Sequence, residues 1–419
     1  MTNLRDRSFR ALTLIIVIAT TATGCGGSTS QGTARVAAPP DCSQPDPGVS
    51  ATEIRVGGIY PTSGPNGAFF KAVGAGVGAR FAEENEKGGI AGRRLTLVSG
   101  DDGDGELANL TAARQLVVTE KVFGIIEATT SSDGGAKFLA DEHVPVTGWG
   151  ITPAWGTYEN MFGYRNSTSP RPEGEPVTRS AQFIKDHGGH RVAIVAGGAI
   201  ASVNVANQLA ETLPAVGLEL GYKTVDVPLG GNDFAVEVQH MKDAGVDVLY
   251  TGMATAPNIA LYQAAVAAGL KFNVVLFPTG YDGRVAVAYG TELEGAYFSI
   301  DWRPFELPVP AHQRFKQMLT QTAPDEYPGQ LAMVGWLSAD AFIRGVREAG
   351  AACPTRAAFI ANLRQVKDYT ADGLLPPTDF AAVFGKMPLC SWILQLHGSR
   401  FVPVSNDPTC GVLLKDYHR

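Results

Sequence analysis

IRVGGIYPTSGP (residues 54–65), followed by FAEENEKGGIAGRRLTLV (81–98), is the stretch that decides the fold. Its first part is a short apolar β-type run, Glu53 to Tyr60, closed by turn-forming Pro, Ser, Asn and Gly residues between Pro61 and Gly67. Val73, Val77 and Phe81 then fall on one helical face, and Arg94 to Ser99 starts a second strand. β-type runs alternating with helical patterns predict an α/β fold in which a parallel sheet carries helices on its faces.

The alternation continues outward. Val122 to Glu127, Val144 to Thr147, Arg191 to Ala196, Tyr222 to Val227, Val246 to Tyr250, Val274 to Phe277 and Gly295 to Ile300 read as strands. Leu107, Leu110, Ala113 and Val117 predict one apolar helical stripe; Phe234, Val238 and Met241 predict another. Helices near Pro310 to Thr320, Gly329 to Ala349 and Thr355 to Val366 precede a hairpin, Ser391 to Leu396 and Arg400 to Val404 around a His-Gly-Ser turn. The pattern breaks between Tyr158 and Val177, at NSTSPRPEGEP, and at the proline-rich gaps DWRPFELPVP (301–310) and GLLPPTDF (373–380). A body of about 370 residues exceeds what one core usually serves. Three crossings divide it into discontinuous domains, residues 49–168 with 304–374 and residues 169–303 with 375–419, joined by a hinge that lets two lobes close over a ligand.

The start of the chain sets its compartment. Arg5, Arg7 and Arg10 precede an apolar run from Ala11 to Ala19, and Ala22-Thr23-Gly24-Cys25 follows. Residues 1–24 read as a signal peptide ending at a lipidated Cys25, with cleavage without lipidation as the alternative. The run is far shorter than the roughly 20 residues of a spanning helix. Residues 25–48 are small, polar and proline-rich, a flexible tether with little to bury. The expected location is extracytoplasmic, anchored to the cell membrane by lipid.

Losing residues 1–24 removes three arginines and one aspartate from 34 basic and 41 acidic residues, leaving a net charge of −9. That sign excludes a nucleic-acid partner. The seven histidines have no metal-ligand spacing, so no cofactor and no metal are expected. Cys42, Cys353, Cys390 and Cys410 remain as an even set in an oxidising compartment, which predicts two disulfides. Of three connectivities the favoured one joins Cys353 to Cys390 and Cys42 to Cys410; zinc is the alternative, without a C-x-x-C to support it.

The opening stretch, together with DDGDG (101–105), VFGIIEATTSS (122–132), VPVTGWGITP (144–153), RVAIV (191–195) and AAGLK (267–271), resembles type I periplasmic substrate-binding proteins, in particular the branched-chain amino-acid binding proteins of ABC importers. The resemblance runs from about residue 50 to 405. It implies two Rossmann-like lobes with parallel central sheets, a three-segment hinge, a monomer with a small-molecule ligand in the cleft, and an ABC permease as membrane partner. A ligand-sensing lipoprotein without a transporter is the alternative, since receptors reuse the fold.

Ligands of an open α/β sheet sit beyond the carboxyl ends of its strands. The loop after Glu127 offers Thr129, Thr130 and Ser131 for a carboxylate at a helix N-terminus, with helix capping by Ser132 or Asp133 as the competing account. The loop after Thr147 offers Gly148, Trp149, Gly150 and Thr152, where the glycines suit close approach and the ring suits a cleft better than a core. Ser63 and Gly64, with Phe69 beyond, form the first loop, although turn chemistry alone explains the former pair. In the second lobe the resemblance implies an aromatic and an acid for the ligand's ammonium. Here AGGAIASVN leaves only Ser202, Met253 stands where an aromatic is expected, and Tyr281 with Asp282 is left for both roles, Asp282 being equally suited to cap a helix. These departures open the ligand class to amides, urea-like molecules and aromatic acids.

An enzyme is not expected. Gly74-Ala75-Gly76-Val77-Gly78-Ala79 formally fits a dinucleotide fingerprint, but a turn separates it from the strand that ends at Tyr60, so close helix packing accounts for it better. G-x-S-x-G is absent and no nucleophile–base set is evident.

Overall fold

A computed structural model describes residues 42–166 and 175–418. The expected signal peptide, lipidated Cys25, most of the tether and residues 167–174 of the first predicted crossing lie outside these.

Thirteen strands are found among the described residues: β1 (Glu53–Ile59), β2 (Arg94–Gly100), β3 (Gly124–Glu127), β4 (Val146–Gly150), β5 (Met161–Asn166), β6 (Arg191–Gly197), β7 (Glu219–Val227), β8 (Val248–Gly252), β9 (Val274–Phe277), β10 (Tyr297–Ile300), β11 (Cys390–His397), β12 (Arg400–Pro403) and β13 (Thr409–Cys410). They make two sheets. The first has the order β2-β1-β3-β4-β5 and is parallel throughout. The second has the order β12-β11-β10-β9-β8-β6-β7, parallel from β7 to β10 and closed by the antiparallel β11–β12 hairpin. The helices Pro310–Thr322 and Gln330–Glu348 return to the first half and pack on the helix Ala72–Glu86, before β11 rejoins β10. Every strand expected from the sequence is present within a few residues.

Three expectations change. β5 lies inside the stretch read as an inter-domain break: Met161, Phe162 and Tyr164 are fully buried and complete the first sheet, although the run is short and leads straight into prolines. Leu107 is 78 % exposed, so the buried face of its helix runs instead through Asn109, Ala112 and Ala113 and on to Leu116. A polar residue leads that face because Asn109 bonds the buried carboxylates of Asp102 and Glu127 at 3.0 and 2.8 Å.

The disulfides are the third correction. The bonds are Cys42–Cys353 and Cys390–Cys410, not Cys353–Cys390 and Cys42–Cys410. The β11–β13 pairing sets Cys390 directly opposite Cys410, while Cys353 lies in the turn after Gln330–Glu348, where Cys42 reaches it.

The glycine run is a helix-packing device. Gly76 lies on Ala72–Glu86 where an added Cβ would come 1.8 Å from the Ala332 carbonyl oxygen, and a Cβ on Gly335 of the facing helix would come 2.0 Å from that of Val73. Backbone-to-backbone contact of this closeness admits only glycine. Val73, Val77 and Phe81 share the buried side of the same helix.

Candidate ligand-binding cleft

The loops leaving the carboxyl ends of both sheets converge on one cavity, with about 1360 Å³ of atom-free space including its mouth in open solvent. Asn66, Phe69, Phe70, Thr130, Trp149 and Ile151 border it from the first sheet's side; Ser202, Gln208, Leu209, Tyr250 and Met253 border it from the second's, Ser202, Gln208 and Leu209 on the helix Ile200–Val216 and Tyr250 on β8. Apolar groups make up the greater part of the wall and polar side chains are set among them, the usual constitution of a small-molecule site.

Trp149, at 8 % exposed, shows why the glycine-flanked ring is special. It is the last residue but one of β4, at a register shift, rests against Phe70 with ring centroids 6.4 Å apart, and points its indole N–H at Asp301 Oδ2, 3.5 Å away. Thr130 borders the cavity and donates to Asp104 Oδ1 at 3.3 Å. Phe69, Ser202 and Met253 also face the cavity.

The other candidates lie elsewhere. Thr129 and Ser131 are buried, bonded to each other through the Ser131 N–H and the Thr129 hydroxyl at 3.1 Å. The helix N-terminus beyond them is satisfied in part: the Gly134 N–H donates to the Ser131 carbonyl, and the Gly135 N–H to Asn109 Oδ1 at 2.9 Å. Ser132 makes no side-chain cap. Ser63 and Gly64 pack against the Asp101–Gly103 turn, with the Ser63 N–H 3.3 Å from Asp101 Oδ1. Gly148 is needed for the sheet itself, since a Cβ there would come 1.8 Å from the Glu127 carbonyl oxygen; Gly150 and Thr152 are buried beside it.

Tyr281 and Asp282 require a correction. Tyr281 stacks among Trp302, Phe305 and Phe401 and donates to Glu306 Oε2 at 2.5 Å, bordering a separate small cavity. Burial, with Glu306 second, pushes its hydroxyl well above the usual tyrosine range. Asp282 caps the helix Gly283–Tyr289 by accepting from the Arg284 N–H at 2.8 Å. The capping account of Asp282 is the one observed.

Sequence reasoning missed the charged wall. Arg179 opens the helix Arg179–Asp186 and borders the cavity at 9 % exposed, with Nη1 donating to the Pro388 carbonyl at 2.8 Å. Burial pulls its guanidinium down to about 10, against the opposing pull of Asp301 and with the help of Arg165. Tyr250 beside it is pushed up to about 12, chiefly by burial. Gln208, also 9 % exposed, sits on the buried face of the helix Ile200–Val216 between Val205 and Leu209. A polar residue inside an apolar helical stripe was the available signal for Gln208; a lone arginine after a proline-rich break gave none.

Among the described residues, no group of three or more His, Cys, Asp or Glu is placed to hold a metal, and no helix is long and apolar enough to cross a membrane.

The chain is 28 % identical over 251 residues to a Leu/Ile/Val-binding protein homolog of Brucella abortus, an alignment covering 59 % of this chain and 67 % of that protein. Its fold matches the fatty acid ABC transporter substrate-binding protein of Thermomonospora curvata at a TM-score of 0.74, with 16 % identity over 89 % of this chain and 96 % of the other. It matches a solute-binding protein of R. palustris solved with benzoate at 0.68, with 14 % identity over 87 % and 98 %. The sequence profile of the periplasmic binding protein family spans residues 53–400. A profile match over most of the chain, on two α/β sheets whose loops meet at one cavity, makes this chain a member of the periplasmic binding protein family, of type I architecture, and a solute-binding protein rather than an enzyme.

Proposed function

We propose that this protein is the extracytoplasmic, lipid-anchored solute-binding component of an ABC importer, capturing a small amino-acid-like or amide-like ligand between two lobes and delivering it to a membrane permease. The lobes are residues 49–168 with 304–374 and residues 169–303 with 375–419, and Cys25 carries the lipid. The observation that carries the reading is the apolar cavity bordered by loops from both sheets, with Trp149 on one side and Met253 on the other. The names of the relatives agree with it: Leu/Ile/Val, fatty acid and benzoate all combine an apolar body with a compact polar head. A ligand touching both lobes binds the closed form better than the open one, and only that difference drives closure.

A melting screen over amino acids, amides, urea and aromatic acids tests capture. A ligand at 100 times its Kd adds about 2.7 kcal/mol of stability. A smaller radius of gyration in X-ray scattering with that ligand tests closure, and identical dimensions would contradict it. Labelled palmitate incorporated by the wild type but not by Cys25→Ser tests the anchor; crosslinking of the ligand-bound form to a co-encoded permease tests delivery.

A further inference from the structure

The charges around the cavity wall are unequally shared. Arg179 borders the cavity nearly buried, and the charges acting on it include the carboxylate of Asp301, which also borders the cavity, and the like charge of Arg165, nearly buried on β5 of the first sheet. Among the described residues, Arg179 and Arg165 thus share the one carboxylate of Asp301. Hydrogen bonding is unbalanced in the same place. Arg179 Nε and Gln208 Oε1 are buried with no partner among the described residues, and both side chains border the cavity. A buried polar group left unpaired costs free energy that a ligand atom recovers.

We propose that the ligand is a monocarboxylate with an apolar body and no ammonium group, its carboxylate held by Arg179 with the Gln208 amide beside it. This rests on the solute-binding reading and replaces the amino-acid-like or amide-like ligand given there with a narrower class. A planar guanidinium offers two parallel N–H donors that match a carboxylate, and a low-dielectric surround strengthens the pair. The Gln208 amide, turned about its terminal bond, presents its NH2 to the same oxygens. No comparable unshared carboxylate borders the cavity for an ammonium among the described residues. Among the described residues Asp301 is the one acid that borders the cavity, and it already accepts from Trp149 and faces both arginines. Tyr281 and Asp282, the remaining aromatic and acid, face away from this chamber. Phe69, Phe70, Met253 and Leu209 complete a wall suited to an alkyl chain or an aromatic ring.

The test titrates octanoate, benzoate, octanamide and leucine into the full mature protein by calorimetry, with melting temperature as a second readout. Octanoate or benzoate should bind, while octanamide and leucine should bind at least about thirtyfold more weakly, the loss expected when a buried charge is left without its partner. Arg179→Met should weaken carboxylate binding by a similar factor and Arg179→Lys by less, with circular dichroism confirming a folded protein. Gln208→Leu, which leaves the charge in place, carries the test if Arg179→Met does not fold. Leucine or octanamide binding as tightly as octanoate overturns the head-group assignment and leaves the solute-binding reading standing. Unchanged octanoate affinity in folded Arg179→Met, or in Gln208→Leu where Arg179→Met does not fold, overturns it too. No binding by these probes or by the wider panel of amino acids, amides and aromatic acids overturns both.

Discussion

Replacing Glu127 by glutamine should flatten part of the protein's stability profile against pH. Glu127 ends β3 with no exposed surface, and its Oε1 accepts from Asn109 at 2.8 Å. Burial, with Asp102 and Asp133 adding like charge, raises its carboxyl from 4.5 to about 8. The folded protein therefore keeps a proton on Glu127 that the unfolded chain has released. Between about pH 4.5 and 8 the folded state binds more protons than the unfolded state, so stability falls as pH rises. At ~1.36 kcal/mol per pH unit that window amounts to about 5 kcal/mol, a ceiling because local opening to water relieves part of the cost. Glutamine keeps the acceptor for Asn109 and cannot ionise. Urea denaturation of both proteins at several pH values, followed by tryptophan fluorescence, isolates the Glu127 contribution as the difference between the two curves. The variant should gain several kcal/mol on the wild type between about pH 5 and pH 8. Parallel curves across that range would refute the reasoning.

Gly76→Ala should destabilise by about 3 kcal/mol or more, because its Cβ meets the Ala332 backbone, whereas Gly78→Ala, with nothing within 4 Å, should stabilise the same helix by about 1 kcal/mol; paired urea titrations check both. Removing Cys42–Cys353, which spans 311 residues, should cost about 5 kcal/mol, against about 3 kcal/mol for Cys390–Cys410, which spans 20, as read from the unfolding free energies of the Ser variants. Trp149→Ala should weaken the ligand identified by the melting screen about tenfold or more, and in the wild type that ligand should change the tryptophan emission.

Strand and helix placement was legible because binary patterning follows burial, and burial follows the layered architecture. Where one polar residue replaced an apolar one for its hydrogen bonds, as Asn109 does, the stripe was assigned to Leu107 instead. β5 was hidden by the prolines that follow it. The cleft was half legible. Loops after strands led to Phe69, Thr130, Trp149, Ser202 and Met253, but strand ends alone do not distinguish a side chain facing the chamber from one buried away from it, as Thr129 and Thr152 are. Arg179 and Gln208 lie at a helix start and inside a helix, where no loop signal points. Disulfide pairing depended on strand register and on a turn far along the chain, neither of which spacing encodes.

The Cys42–Cys353 bond also decides how the folded body responds to traction. Strand β1 lies inside its sheet between β2 and β3, and it is the first strand of the described chain. Without the bond, a pull on the residues preceding Cys42 would unzip that strand from one end, breaking its ladder one hydrogen bond at a time. With it, the force passes across sulfur into the turn at Cys353, beside which the Arg356 N–H donates to Asp46 Oδ2 at 2.6 Å. The load then meets the helix Gln330–Glu348 as a whole, so the sheet that carries Trp149 is shielded from whatever tugs on the leading end of the chain.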